Sequence, residues 1–479
     1  MNRRMIFYIL GQIIKILALF LLLPALVSVI YRENAVYSFL ISAVIAALIG
    51  LLLTLKKPAE KRIYAKDGFV VTALAWIAVS LIGALPFYIS REIPSFIDCF
   101  FETVSGFTTT GGTAVNNIEG FSRGLIFWRS FTHWIGGMGV LVFVMAIIPL
   151  TGRSMYLMRA ESPGPIVGKL VPKLKNTAKI LYAIYIFLTA VEVLLLIMGG
   201  MSVFDSVIHA FGTAGTGGFS NKAASIAAYN STYIHIVITV FMALFGINFN
   251  IYFFLVTRNF RSVFKNEELR WYLGIIAVAI ILIAVNIMPH YSNVGTAVKD
   301  AAFQTVSTIT TTGYVTADYA EWPEFSQTIL VLLMFCGASA GSTGGGIKVS
   351  RLLLYAKMSL RELRRMLHPK SVSVVSLDGK PVGESNLADI GTYFAFYLII
   401  AAITLLLLSL DRFDFKTNFT AMASCLNNIG PFLGRGGPFG SYSEFSAASK
   451  LLLSLNMLFG RLELFPLLMT LNPAIWKKH

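Results

Sequence analysis

The chain has 479 residues, of which 56% are hydrophobic and 13% charged, and its mean hydropathy is +0.72. A soluble globular chain is about 45–50% apolar and about 25% charged, and roughly 270 apolar residues leave room for about a dozen membrane spans at about 20 residues each, so a cytosolic enzyme with a membrane tail and a large soluble nucleotide-binding domain are both excluded. The net charge of +15 would suggest a nucleic-acid partner if it formed one soluble patch, but the basic residues fall mostly in short loops between apolar runs, where they orient a membrane protein.

Arg3 and Arg4 precede a first apolar stretch, residues 5 to 30, which is too long for an ordinary signal-peptide core and has no small-x-small cleavage site, so it reads as a retained helix. Further long apolar runs lie near 35–55, 69–90, 124–150, 178–200, 232–257, 271–289, 326–357, 390–410 and 447–471. Four shorter pieces, near 98–108, 205–215, 300–310 and 417–427, are too short to cross and suit re-entrant half-helices. Basic loops share one phase: Arg3 and Arg4; Lys56, Lys57, Lys61, Arg62 and Lys66; Arg153, Arg159, Lys169, Lys173 and Lys175; Arg258, Arg261, Lys265 and Arg270; Arg351 to Lys370; and Lys477 with Lys478. The positive-inside rule then predicts both termini in the cytoplasm, with the half-helices dipping in from the outer face. Cys99, Cys336 and Cys425 have no metal-ligand spacing and suggest no disulfide framework. The segment 358–388 contains Leu377-Asp378-Gly379-Lys380, a turn between two extended pieces, and is either a solvated loop or a docking surface.

The four short pieces are copies of one unit. A helix-capping residue type stands thirteen positions before a glycine in each: Asp98 and Gly111, Asp205 and Gly218, Asp300 and Gly313, Thr417 and Gly430. About ten residues of helix rise about 15 Å, half the hydrocarbon thickness. The helix ends therefore meet near mid-membrane, where their negative dipole ends favour a cation. An extended piece follows each: Thr108-Thr109-Thr110-Gly111, Gly215-Thr216-Gly217-Gly218, Thr310-Thr311-Thr312-Gly313 and Asn427-Asn428-Ile429-Gly430. Non-helical backbone at this depth must be buried in protein or line a water-filled path, and four such pieces around one axis form rings of carbonyl oxygens that replace an ion's hydration shell. Small residues serving only close helix packing would explain one copy; four in the same register favour a selectivity filter.

On these residues the chain resembles the Trk, Ktr and HKT superfamily of potassium transporters, whose subunits carry four helix–pore loop–helix repeats around a central pore in one all-α polytopic chain. The resemblance covers residues 69 to 471, and the two helices before the first repeat look like those of its TrkH and TrkG branch. It implies a two-helix extension over 1–66 and repeats over 67–165, 166–266, 267–380 and 381–479. It also implies a bacterial inner-membrane location, K+ as the transported ion with no organic cofactor, no enzymatic activity, a homodimer, and a TrkA-like cytosolic nucleotide-binding regulatory subunit. Some sodium-preferring relatives carry serine at the first filter glycine, so Gly111 favours potassium.

Below the expected filter, Cys336 to Val349 is a run of small residues inside a membrane segment, and its glycines, each costing about 1 kcal/mol in a helix, predict a break. Gly341, Ser342, Thr343, Gly344, Gly345, Gly346 and Lys348 read as a flexible gate beneath the filter, with a packing kink as the alternative. A Walker A loop is excluded, because Ile347 precedes Lys348 and Val349 follows it. Arg461, in the last apolar run, must face protein or water. The resemblance places it at the pore constriction; a structural ion pair with Glu463 or Glu192 is the alternative. Glu102, His209 and Gln304 share one half-helix position, with Ala421 in the fourth copy, and are expected to anchor the filter from behind. His133, Trp134, Asn248 and Asn250 are weaker pore-lining candidates. The function expected is gated, channel-like potassium uptake, with a proton- or sodium-coupled symporter or a KdpA-like pump subunit as alternatives.

Overall fold

The structure, a computed structural model, describes residues 1–58, 64–139, 174–370 and 373–476. The basic positions Lys61, Arg62, Arg153, Arg159, Lys169, Lys173, Lys477 and Lys478, the expected 165/166 boundary and residues 140–150 of the fourth apolar run lie outside these.

Two hydrophobic spans open the chain, α1 (Arg3–Phe20) continued by α2 (Leu22–Ile30), and α3 (Ala35–Thr54). Glu33, between α2 and α3, accepts the backbone N–H groups of Arg123 (2.7 Å) and Gly124 (3.0 Å) at the start of α6 (Arg123–Gly137). A carboxylate on the orphan donors of a helix N-terminus is favoured by the dipole, and here it fastens the leading pair of spans to the first repeat.

Four units of one plan follow. Each has a long helix, a half-helix, a non-helical return, and a second helix. The long helices are α4 (Ala65–Ser90), α7 (Leu174–Met198), α12 (Glu267–Ile287) and α16 (Glu384–Leu408). The half-helices are α5 (Phe96–Phe107), α8 (Val203–Gly215), α13 (Val294–Ile309) and α17 (Phe415–Asn427). The second helices are α6, α9 (Thr232–Phe245), α14 (Glu324–Met334) and α18 (Ala447–Arg461). Among the described residues, six helical segments are long and apolar enough to cross a membrane, and α9 with α10 (Phe249–Val256) forms a further pair bent by 91°, followed by the short α11 (Phe260–Lys265). The chain is a multi-pass membrane protein: side chains such as Leu19, Met198, Leu332 and Leu406 are exposed on its outside, while large aromatics including Trp76, Trp128, Tyr272 and Tyr314 are fully buried between helices.

The break expected in the third unit is present: α14 stops at Met334 and helix resumes only with α15 (Val349–Leu367). Two apolar runs that read as continuous also break. Residues 232–257 bend at Gly246–Asn248, where Asn248 caps α10 by accepting the Asn250 N–H at 2.9 Å. Residues 447–471 divide at Leu462–Leu464, with Glu463 and Leu464 at positive φ (55° and 67°) before α19 (Phe465–Leu471). Beyond α15, the strands Ser376–Leu377 and Lys380–Pro381 pair across the Asp378-Gly379 turn as the sequence predicts. Asp378 accepts the Glu267 N–H (2.7 Å), which ties this hairpin to the start of α12.

Candidate ion filter and gate

The half-helices have 12, 13, 16 and 13 residues, and their caps differ from those the sequence suggested. Ser95, Ser202 and Asp414 hold the N-cap, each accepting a backbone N–H three residues on, from Asp98, Asp205 and Thr417. Asp98, Asp205 and Thr417 are thus in the first turn, not at the cap. The third helix starts a turn earlier on Asn293, which leaves Asp300 within it, because Ala297 occupies the equivalent cap position and offers no acceptor. The displaced residues have other partners: Asp98 accepts from Lys450 on α18 (2.7 Å), Asp205 from Asn221 (2.8 Å), and the Thr417 hydroxyl accepts the Arg435 N–H (2.9 Å). Hydrogen bonds from the Thr417 hydroxyl and amide hold the Asp414 carboxyl below the usual carboxylate range.

At their other ends the four half-helices terminate identically. Thr109, Thr216, Thr311 and Asn428 take left-handed φ values of 55°, 54°, 59° and 58°. The next amide in each copy bonds back five residues: Thr110 to Ser105 (2.8 Å), Gly217 to Gly212 (2.8 Å), Thr312 to Ser307 (2.9 Å) and Ile429 to Ser424 (2.9 Å). This is the Schellman closure, which normally places glycine in the left-handed position. Non-glycine residues there cost energy and persist only where the surroundings over-determine them. Two residues later Gly111, Gly218, Gly313 and Gly430 are again at positive φ, 80°, 76°, 80° and 99°. Thr108 to Thr110, Thr216, Thr310 to Thr312, Asn427 and Asn428 are all fully buried.

The four returns close into a ring. A Cβ on Gly111 would collide with the Gly217 carbonyl oxygen, one on Gly218 with that of Thr312, one on Gly313 with that of Ile429, and one on Gly430 with that of Thr110. The contacts run from first to second, second to third, third to fourth and fourth to first. The four segments therefore converge on one centre, each glycine seated on a carbonyl of the next copy.

Polar side chains fix this ring from behind. Glu102 accepts from Thr113 Oγ1 (3.1 Å) and Ala114 N (3.1 Å) and pairs with buried Arg129, which donates to the Ser220 carbonyl (2.9 Å) and lies over the Phe219 ring. His209 Nε2 bonds Ser220 Oγ (3.0 Å), and Gln304 Nε2 donates to Thr316 Oγ1 (3.3 Å). The fourth copy, with Ala421 at this position, uses Thr420 with Leu433 N (3.0 Å) and Tyr442 OH to the Gly430 carbonyl (2.8 Å). His133 sits behind the second copy, its Nδ1 on the Gly106 carbonyl (2.7 Å) and its Nε2 accepting Phe219 N–H (3.3 Å). Arg129, Thr420 and Tyr442 were not singled out in the sequence; an arginine in an apolar run was the available signal for the first.

Directly beneath lies the break of the third unit. Gly345 N–H donates to Thr311 Oγ1 (2.8 Å), and a Cβ on Gly345 would lie 2.7 Å from the Asn428 Cβ. The loop is held at both ends by Glu268 of α12, which accepts Ala340 N (2.7 Å) and Ser350 N (3.1 Å). It is also joined to the bend of the second unit: Ser339 N donates to Gly246 O (3.1 Å) and Phe249 N to Gly341 O (3.0 Å). Lys348 folds its ammonium back onto the Gly344 carbonyl. Arg461 bridges loop and ring, donating to Thr343 O (2.7 Å), Thr109 Oγ1 (3.2 Å) and the Gly136 and Gly137 carbonyls. Glu463, considered above as its partner, pairs instead with Arg351, whose guanidinium lies over Tyr393.

Comparison with known proteins gives the same picture over the whole chain. A family described as TrkH, cation transport protein, matches residues 35–478. The Trk system potassium uptake proteins TrkH of Salmonella typhimurium and of Escherichia coli K12 are each 35% identical, covering 100% of both chains, and TrkG of Escherichia coli K12 is 32% identical over 99% of both. The crystal structure of the potassium transporter TrkH from Vibrio parahaemolyticus superimposes with a TM-score of 0.89 at 32% identity, covering both chains completely. The chain belongs to the TrkH family of cation transport proteins.

In this TrkH-family chain the four-repeat plan read from the sequence matches that of the solved relative. On hydropathy averaged over a window the bends at Gly246–Asn248 and Leu462–Leu464 are masked, since Asn248, Arg461 and Glu463 sit among strongly apolar neighbours; Gly246, the capping residue Asn248 and Pro466 are the local signals that mark them.

Proposed function

We propose that the chain carries potassium into the cell through a gated, channel-like pore whose selectivity filter is the ring at Gly111, Gly218, Gly313 and Gly430. The observation that carries this reading is the cyclic seating of each glycine on the neighbouring copy's carbonyl, which gathers backbone from four copies around one centre, where rings of carbonyl oxygens can replace an ion's hydration shell and four helix C-termini add negative potential. Relatives named as potassium uptake proteins over their full length support the ion assignment.

The loop Gly341 to Gly346, with Lys348 and Arg461, acts as the gate. It lies under the filter on bonds to Thr311 and Thr109, and its positive charges oppose a cation leaving inward. Opening requires the loop to leave Thr311 and Arg461 to leave the Thr343 carbonyl. No coupled ion is needed: an inside-negative potential of 100 mV is worth about 2.3 kcal/mol per charge, which supports roughly 40-fold accumulation.

In the cell, the protein sits in the bacterial inner membrane with both termini cytoplasmic, an orientation supported by the basic loops, and works as a homodimer with a TrkA-like nucleotide-binding subunit. The exposed basic surface of α15, with Arg364 and Arg365 beside exposed Met366 and Leu367, fits a cytosolic partner. Liposomes containing the purified protein test the core of this reading. The reversal potential is expected to follow the potassium gradient alone; a shift with the proton or sodium gradient favours the symporter, and no flux without an ATPase partner favours the pump subunit.

A further inference from the structure

Above the four glycines lies a vestibule of about 60 Å3 whose walls include Gly111, Gly218, Gly313 and Gly430. Cation pores commonly ring such a mouth with Asp or Glu. Here, among the described residues, no carboxylate lines it, and the ionisable side chains on its wall are Arg129 and Lys222. Arg129 is 3% exposed and neutralised by Glu102. Lys222 is half-buried and takes part in no ion pair among the described residues. Its position is built rather than incidental: its backbone N–H is bonded to Ser220 Oγ (3.1 Å), the same hydroxyl that His209 holds, and the next amide, of Ala223, is bonded to Glu119 (3.3 Å). The nearby acid Asp205 is engaged by Asn221.

We propose that Lys222 is a specificity-determining residue of the outer mouth: its ammonium acts as a tethered monovalent cation that keeps divalent ions out of the filter while tolerating potassium. This rests on reading the glycine ring as a potassium filter. The physics is a difference in charge. Electrostatic repulsion scales with the charge of the arriving ion, so a potential that lowers the local concentration of a monovalent ion f-fold lowers that of a divalent ion f-squared-fold. Steric or hydration effects of the side chain carry no such relation.

The experiment is rubidium uptake into liposomes holding the full chain, with external potassium varied and barium, a divalent ion close to potassium in size, as blocker. Lys222→Gln is expected to lower half-saturating potassium about two- to five-fold, the scale of one unit charge acting on another through a mostly aqueous gap, and half-blocking barium by the square of that factor. Lys222→Glu moves both further and Lys222→Arg restores both. Raising ionic strength with choline chloride shrinks the differences, because the Debye length is about 8 Å at 0.15 M salt and shorter above it. Unchanged constants in Lys222→Gln and Lys222→Glu overturn the proposal, as do equal shifts for potassium and barium. Failure of the filter reading itself is distinguishable, since the unsubstituted protein would then carry no potassium-selective flux.

Discussion

At Gly313 two constraints coincide: φ of 80° and a neighbouring carbonyl, that of Ile429, where a Cβ would lie. Left-handed backbone costs a side chain about 1–2 kcal/mol, and the collision adds to it by displacing an oxygen of the ring. Gly313→Ser is expected to cut potassium flux at least about tenfold, the factor that about 1.4 kcal/mol represents, and to raise the sodium-to-potassium ratio, as measured by ion flux in liposomes; wild-type selectivity in this variant would remove the ring from the filter role. Arg461 tests the other end of the path. It holds Thr343 and Thr109 together through charge-assisted bonds of about 1.5–3 kcal/mol each. Arg461→Gln keeps a donor but removes the charge, and basal rubidium influx should rise several-fold; an influx no higher than that of the parent would contradict a restraining role. The identity of both residues as candidates was legible from sequence, Gly313 from repetition and Arg461 from its cost in lipid. The partner of Glu463 was not: Arg351 and Glu463 are 112 positions apart, and only the break after Arg461 brings them together.

Among the elements, the loop between α14 and α15 is the one proposed as the gate. Its contact with the filter passes through the Gly345 N–H and through the space that glycine leaves beside Asn428. Gly345→Ala pushes against a side chain fixed by bonds to Thr110 Oγ1 (2.9 Å) and the Met457 carbonyl (2.8 Å), so the loop yields rather than the filter. Basal flux should rise while the potassium-to-sodium ratio stays that of the parent, and a loss of selectivity would show that the filter moved instead. Glu268→Gln weakens the anchors at Ala340 and Ser350 from outside the path and should raise basal flux in the same direction, read as rubidium influx; a fall would place Glu268 in ion conduction rather than in restraint. This break was legible because five glycines cannot continue a helix. The cap register was not, and for a physical reason: Ser95 and Asp98, or Ser202 and Asp205, are both good N-cap types one turn apart. Spacing to the glycine cannot choose between them, and in the third repeat Ala297 moves the start to Asn293.

Over the whole molecule, the fold follows from a requirement of lipid: every backbone polar group must be satisfied, so among the described residues the long apolar spans are helical, and the non-helical returns that carry the four glycines are packed against one another between the helices. That logic made the four-repeat architecture readable from hydropathy and repetition together. The orientation argument rests on charge, and it is tested by single cysteines at Asn116, in the loop near the vestibule, and at Lys57, after α3. In intact cells an impermeant maleimide should label Asn116→Cys and leave Lys57→Cys unlabelled; the reverse pattern inverts the topology. One property of the ring bears on how far the four copies can differ. A glycine is seated against a main-chain oxygen, and an oxygen of the main chain is not subject to mutation, so no substitution in one quarter can be compensated by a substitution in the next. Side chains around the circle differ between the copies, as Thr-Thr-Thr, Gly-Thr-Gly, Thr-Thr-Thr and Asn-Asn-Ile, whereas the same residue, glycine, closes every quartet.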